Sequence, residues 1–247
     1  MKLNFQAVAP LSGVQGLFEC RRRANLVQAG SKQREEPTCP TFHRPHRAPY
    51  PAPMPDLWTS AAHAAWREAL DRYDGVIARQ GIARLPELDR WYQAELPAEI
   101  RARPAAHVTL PELARLTEWK MARGVWRAPN RVLVRGNASD AVARTSRDAL
   151  ALAPHPTKPI ALLATLAGVG PATASAVAAA VAPEYYPFFD ELVAVHIPAL
   201  GPVKWTLGYY ARYAEAIRQQ ATRLGDAWTP AMVERALWSA GGGKAAV

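Results

Sequence analysis

Asp190 is the carboxylate best placed for chemistry, because it directly follows the aromatic run Tyr185-Tyr186-Pro187-Phe188-Phe189. A carboxylate beside such rings can stabilise a developing positive charge and position a water molecule, while the rings can receive a flat group. The same aspartate is also suited to cap a helix that begins at the next residue. The aromatic run can equally be part of a buried core. Both interpretations of each feature remain open at this point.

A second candidate site is the turn Gly168-Val169-Gly170-Pro171. The sequence predicts an apolar helix over residues 159–166 before it and an alanine-rich helix over residues 172–180 after it. Glycine permits the tight turn, and proline suits the first turn of the second helix. The pattern therefore predicts a helix-hairpin-helix whose backbone N–H groups could bind a phosphate. The residues expected at that phosphate are Gly168, Val169, Gly170, Ala172 and Thr173.

The turn and the segment after it resemble the helix-hairpin-helix DNA glycosylase superfamily, in particular a little-studied branch of it. In that superfamily the hairpin binds the DNA backbone, and a loop with glycine or proline leads to a catalytic aspartate. Here residues 183–189 match the loop and Asp190 matches the aspartate. Bifunctional members carry a lysine two residues after the second glycine, where this chain has Ala172. The interval from that position to Asp190 matches the family's.

The resemblance implies a monofunctional DNA N-glycosylase that removes a damaged or mismatched base from double-stranded DNA. Without a lysine at position 172, a Schiff-base route has no nucleophile at the family position. The base would be extruded into a pocket, for which the resemblance suggests Tyr186, Phe188 and Phe189. Glu191, in Phe189-Asp190-Glu191-Leu192, departs from the Val-Asp-Thr-His often seen in the family. The alternatives are a non-catalytic DNA-binding protein and a protein-interaction module.

A third feature interleaves aromatic and basic residues from Trp119 to Arg127, with Lys120, Arg123 and Trp126 between them. The basic side chains could contact phosphates, and a tryptophan could stack on a base. Alternatively, the tryptophans lie in the core and the basic residues complement the end of a helix near Gly124. The stretch is similar to a Trp-Lys-x-x-Arg-Gly motif of little-studied helix-hairpin-helix proteins.

Charge and composition limit the function classes. The formal net charge of +9 is compatible with a nucleic-acid partner. No metal site is expected, since the histidines have no ligand spacing, and no cofactor-binding motif occurs. Cys20 and Cys39 are too few to bind an iron–sulfur cluster. With no membrane span or signal peptide in the sequence, we expect a cytoplasmic protein, nucleoid-associated if bacterial.

The chain divides by composition near Met54. Residues 1–53 are basic and rich in proline, without helical or strand periodicity, so we expect disorder there. They could be a tail that adds DNA affinity, or a segment upstream of a natural start at Met54. Residues 54–247 are predicted to form the folded domain.

Helical spacing of apolar residues runs through that domain. The sequence predicts helices from residue 56 or 59 to about 81, from 86 to 96 and from 109 to about 123. It predicts further helices over 130–152 with a break at 136–137, over 191–200, over 207–224, and from 230 onward. Thr109, Ser139 and Thr229 are the expected N-caps, and Pro97 is expected to break or kink the second helix. The predicted fold is an all-α, two-lobed, glycosylase-like bundle.

Overall fold

The protein is built from helices in a computed structural model that describes residues 56–125 and 128–246. Within these ranges no β-strand occurs, which confirms the all-α prediction. The α-helices are α1 (His63–Asp71), α2 (Tyr73–Arg79), α3 (Leu85–Arg90), α4 (Leu96–Arg101), α5 (Leu110–Arg123), α6 (Ala128–Arg135), α7 (Ser139–Leu150), α8 (Lys158–Leu163), α9 (Pro171–Val181), α10 (Glu191–Ala194), α11 (Leu207–Leu224) and α12 (Pro230–Ala240). Residues 1–53, with the disorder and the alternative start predicted for them, lie outside the described ranges, as does Trp126.

The central helix is α9, which packs against α4, α5, α8 and α11. Every residue from Ala172 to Ala180 is buried. Because most of them are alanines, the surrounding helices can approach the α9 backbone closely. The described helices belong to one compact unit, and a two-lobed division within it stays a prediction.

Local sequence signals explain several helix boundaries. Helix α5 begins with a capping box: the Glu112 N–H donates to Thr109 Oγ1 at 3.4 Å, and the Thr109 N–H donates to Glu112 Oε2 at 2.7 Å. Helix α12 begins as predicted, with the Met232 N–H donating to the Thr229 hydroxyl. These boundaries depend on residues within one helical turn, which is why they can be predicted from sequence.

Pro97 was predicted to break or kink the second helix; the helix does not end there, but its regular α geometry is interrupted just before the proline. Helix α3 continues through a π-helical turn, Trp91–Glu95, directly into α4, and the Leu96 N–H donates to the Trp91 carbonyl. Proline has no N–H, and its ring crowds the carbonyl four residues earlier. The wider π turn accommodates both effects without ending the helix.

Three other boundaries differ from the prediction. The first helix is divided: Asp56 caps a short 3₁₀ turn, and α1 and α2 follow with a break at Arg72. Helix α7 has Ala138 as N-cap, so Ser139 is its first residue and makes no side-chain cap. The helix predicted over 191–200 is only α10 followed by a 3₁₀ turn, Pro198–Leu200.

Candidate nucleic-acid interface and buried carboxylate centre

The turn between α8 and α9 is held in place by α6. Gly168 has φ of 74°, and a Cβ atom built there would lie 2.8 Å from the Asn130 carbonyl oxygen and 2.9 Å from the Val134 nitrogen. The backbone of α6 therefore lies so close to Gly168 that a side chain would not fit between them. Both the positive φ and this approach require glycine at position 168.

A side-chain amide fixes the same turn. Asn137 donates from Nδ2 to the Ala167 carbonyl at 3.0 Å and accepts the Ala167 N–H at Oδ1, at 2.9 Å. Its Nδ2 also donates to the Val134 carbonyl at the end of α6. The Asn137 amide thus links the segment between α6 and α7 to the turn between α8 and α9. This link fixes the position at which α9 begins. The sequence showed Asn137 only as part of a helix break.

The N-terminus of α9 opens into a cleft of about 260 Å³. Its lining residues are Lys120, Asn130, Gly170, Pro171, Ala172, Thr173 and Trp205. Gly170 is the N-cap and is exposed, and nothing lies within 4 Å of the Cβ position it lacks. The first-turn N–H groups of a helix have no acceptor within the helix. We call this feature the α9 cleft.

The residues predicted to bind the DNA backbone differ in their exposure. Gly170 is exposed and Gly168 is half-buried against α6, while the side chains of Val169, Ala172 and Thr173 are buried. A phosphate in the α9 cleft would therefore meet backbone groups rather than these side chains.

Asp190 lies in a buried ion cluster. The Leu192 N–H donates to its Oδ1 at 2.9 Å, so Asp190 caps α10, and Arg123 Nη1 donates to its Oδ2 at 3.0 Å. The same Nη1 donates to Glu234 Oε1 at 2.8 Å. The exposed fraction is 3% for Asp190, 3% for Glu234 and zero for Arg123. The helix-cap interpretation of Asp190 is thus confirmed, and its catalytic role remains a prediction.

Arg123 is surrounded by aromatic rings rather than solvent. Its guanidinium carbon lies 4.6 Å from the ring centre of Trp238 and 5.2 Å from that of Phe188, with Trp119 and Tyr73 slightly farther away. The prediction that Arg123 contacts DNA phosphate is wrong for this structure, because its side chain is inaccessible. The sequence could not distinguish this arginine from surface ones, since both of its carboxylate partners are distant in the chain.

The ion cluster contains two carboxylates and one guanidinium, so it carries an excess negative charge when both acids are ionised. Burial raises the pKa of Asp190, although the Arg123 charge opposes this change. Burial likewise raises the pKa of Glu234 to about 7. Burial lowers the pKa of Arg123, but the charges of Glu234, Tyr73 and Asp190 and the Glu234 hydrogen bond together raise it well above its usual value, so the arginine stays protonated. A proton on one acid would make the cluster neutral.

A second, much smaller cavity of about 20 Å³ lies over Asp190. Its lining includes Lys120 and Trp205, which also line the α9 cleft, and Gly124, whose missing Cβ would lie 3.9 Å from Asp190 Oδ1. This volume is enough for about one water molecule. A nucleobase does not fit there, whereas the α9 cleft is large enough for a larger group.

Most of the predicted base-pocket aromatics are core residues. Tyr186 and Phe189 have zero exposure, and Phe189 packs against Tyr209 and Tyr213 of α11. Tyr186 donates its hydroxyl to the His155 carbonyl at 3.0 Å. Phe189 also lines the small cavity over Asp190, which has room for about one water molecule. The burial of both side chains contradicts the prediction that they line an open pocket for a base.

Trp119 and Phe188 are also buried, and both line a larger cavity. Trp119 is 1% exposed and stacks on Tyr92, and Phe188 is 4% exposed. They contribute to a cavity of about 400 Å³ next to Glu234. Phe188 also lines the small cavity over Asp190.

Three residues at these sites were missed by sequence reasoning. Trp205 is 38% exposed and lies at both the α9 cleft and the Asp190 cavity. Asn130 lines the cleft from α6. Glu234 stands among the apolar positions of α12, between Pro230 and Leu237, and this acidic residue on a buried face was the one available sequence signal.

The chain matches no protein-family model, no curated protein and no solved structure. In residues 56–125 and 128–246, no group of three or more His, Cys, Asp or Glu side chains could hold a metal ion. In the same residues no helix has both the length and the apolar character of a membrane span. Cys20 and Cys39 lie outside the described part of the chain.

Proposed function

We propose that the protein binds double-stranded DNA at the α9 cleft and acts there as a monofunctional DNA N-glycosylase. The observation that carries this proposal is that the α9 cleft and the small cavity over Asp190 adjoin each other. The α9 N-terminus and the carboxylate of Asp190 face adjoining cavities that share Lys120 and Trp205 as walls. The proposed phosphate site and the proposed catalytic carboxylate thus face cavities with two walls in common.

The phosphate would bind at the start of α9. The positive end of the helix dipole and the first-turn N–H groups favour an anion, and the exposed Gly170 leaves room for a phosphate. Lys120 adds a cationic side chain to the same cleft. Elsewhere on α5, Glu118 pairs with three arginines, Arg84, Arg131 and Arg135, so the charge of this cluster is net positive.

Trp205 is the side chain best placed to contact an extruded base. It is partly exposed, and its ring lies 5.1 Å from Phe189, which supports it from the interior. A base in the α9 cleft could stack on this ring.

Asp190 would support loss of the base. When the N-glycosidic bond breaks, positive charge develops on the sugar, and a nearby carboxylate stabilises it. A water in the small cavity over Asp190 could then add its oxygen to the anomeric carbon and give its proton to the carboxylate, while solvent protonates the departing base. Ala172 lies in the α9 cleft at the lysine position of bifunctional members, so we expect no strand cleavage without alkali.

A second candidate is a DNA-binding protein without this chemistry. It is favoured by the burial of Asp190, whose two oxygens are already engaged by the Leu192 N–H and by Arg123. In that case Asp190 is a helix cap and an ion-pair partner only.

The two candidates are distinguished by base release from duplexes that contain alkylated, deaminated, oxidised or mismatched bases. Asp190→Asn keeps an oxygen for the Leu192 N–H but removes the charge, so it should abolish release and leave DNA binding intact. The exposed Asp226→Asn is the matched control and should release bases like the wild type. If no lesion is processed while the duplex is bound, the catalytic proposal fails and the binding proposal stands.

A further inference from the structure

A sizeable cavity lies away from the α9 N-terminus, toward the other end of that helix. It has a volume of about 400 Å³ and extends from Pro97 of α4 past Ala179 and Ala180 of α9 to Glu234 and Arg235 of α12. We call it the α12 cavity. Its size is within the range of small-molecule sites in proteins. The proposed DNA site does not use it.

One wall of the α12 cavity is a stacked aromatic pair. The rings of Tyr92 and Trp119 have centroids 3.5 Å apart and planes inclined by 12°. The Tyr92 hydroxyl donates to the Ala176 carbonyl, and Trp119 Nε1 donates to Asp89, both at 2.8 Å. Because these polar atoms are already bonded, the pair offers the cavity a rigid carbon surface. Such a surface suits a flat ring.

The polar lining of the α12 cavity is mainly cationic. Arg101 and Arg235 both line it, and Arg101 is exposed. Arg235 Nη1 donates to Gln93 Oε1 at 3.4 Å, but its buried Nε has no hydrogen-bond partner among the described residues. The Nε is buried and does not face the cavity, so an anionic ligand would have to pair with the terminal nitrogens of the two guanidinium groups.

The one acidic group of the lining, Glu234, is held by a third arginine. Arg123 donates to its Oε1 from the interior, and the same Nη1 also donates to Asp190. Burial raises the pKa of Glu234 to about 7, so near neutral pH the carboxyl is partly protonated. With two arginines and one partly protonated carboxyl, the charged lining of the cavity is net positive near neutral pH.

We propose that the α12 cavity binds a small molecule with a flat aromatic or heteroaromatic ring and one anionic group, a carboxylate or a phosphate. The ring lies against Tyr92 and Trp119, and the anionic group pairs with Arg235 and Arg101. This site is independent of the DNA-binding proposal, and neither requires the other.

The test is thermal unfolding of the full chain with paired probes. Benzoate, indole-3-carboxylate and the four nucleoside 5′-monophosphates are each compared with an uncharged partner: benzamide, indole-3-carboxamide or the nucleoside. At least one anion should raise Tm by about 3–5 °C at ten times its Kd, while its neutral partner gives a smaller shift. Quenching of tryptophan fluorescence gives a second measure of Kd, because Trp119 is in the wall.

Variants locate the site. Arg235→Gln should weaken binding at least tenfold, whereas the exposed Arg223→Gln should not change it. Gly170→Asp, which obstructs the α9 cleft, should also leave it unchanged. The proposal is overturned if no anion of the panel shifts Tm, if Arg235→Gln binds like the wild type, or if Gly170→Asp alone abolishes binding.

Discussion

Replacing Glu234 by glutamine should remove a specific pH dependence of stability. Glu234 is buried beside Arg123, Asp190 and Arg235, and burial raises its pKa from the usual 4.5 to about 7. Glutamine keeps an oxygen that can accept the Arg123 hydrogen bond, but it cannot ionise. The substitution therefore isolates the cost of a charged carboxylate at this position from the cost of losing a hydrogen bond.

The sign follows from where the proton is bound. Between the two pKa values the folded protein keeps the Glu234 proton and the unfolded chain loses it, so the free energy of unfolding falls as pH rises. One pKa unit corresponds to about 1.4 kcal/mol. Between pH 5 and pH 8 this group alone should therefore remove about 2–3 kcal/mol of stability from the wild type. Glu234→Gln should not show this loss.

The assay is urea unfolding of both proteins at pH 5 and pH 8. The quantity compared is the free energy of unfolding of Glu234→Gln minus that of the wild type. This difference should be about 2–3 kcal/mol larger at pH 8 than at pH 5. Glu215→Gln is the control: Arg218 lowers the pKa of this exposed acid, so it stays ionised across the range and the variant should track the wild type. An equal stability difference between Glu234→Gln and the wild type at both pH values would refute the reasoning.

Two further substitutions test the turn and the cleft. Gly168→Ala should destabilise the protein by roughly 2–5 kcal/mol in urea unfolding, because its Cβ meets the α6 backbone and its φ is positive. Gly170→Ala should cost only about 1 kcal/mol, because its Cβ meets no atom and alanine is merely a poorer N-cap. Equal losses for the two variants would contradict this account of the turn. Trp205→Ala should weaken duplex binding about tenfold in a fluorescence titration while Tm falls little; unchanged affinity would exclude Trp205 from the interface.

Local signals in the sequence were sufficient for much of the fold. The capping box at Thr109, the N-cap at Thr229 and the alanine-rich helix after Pro171 each depend on residues within a few positions, and each prediction is confirmed. The π turn before Pro97 was not predicted, because sequence alone does not show whether a proline ends a helix or widens it.

The candidate site was predictable only in part. The sequence identified Asp190 and the turn at Gly170, since both have local signals of type and spacing. It missed Glu234 and misassigned Arg123, because their ion pairs join segments far apart in the chain. Trp205 was missed for a different reason: nothing in its neighbours shows that its ring lies at two cavities.

The central claim is that the N-terminus of α9 binds the DNA backbone, and duplex affinity at two salt concentrations tests it most directly. Wild type should bind more weakly at the higher concentration, and Gly170→Asp should lose at least tenfold in affinity, because it places a carboxylate where a phosphate would bind. Ala98→Asp makes the same charge change at an exposed position of α4 and should bind like the wild type. No binding of the wild type at low salt, or equal losses in the two variants, would contradict the claim.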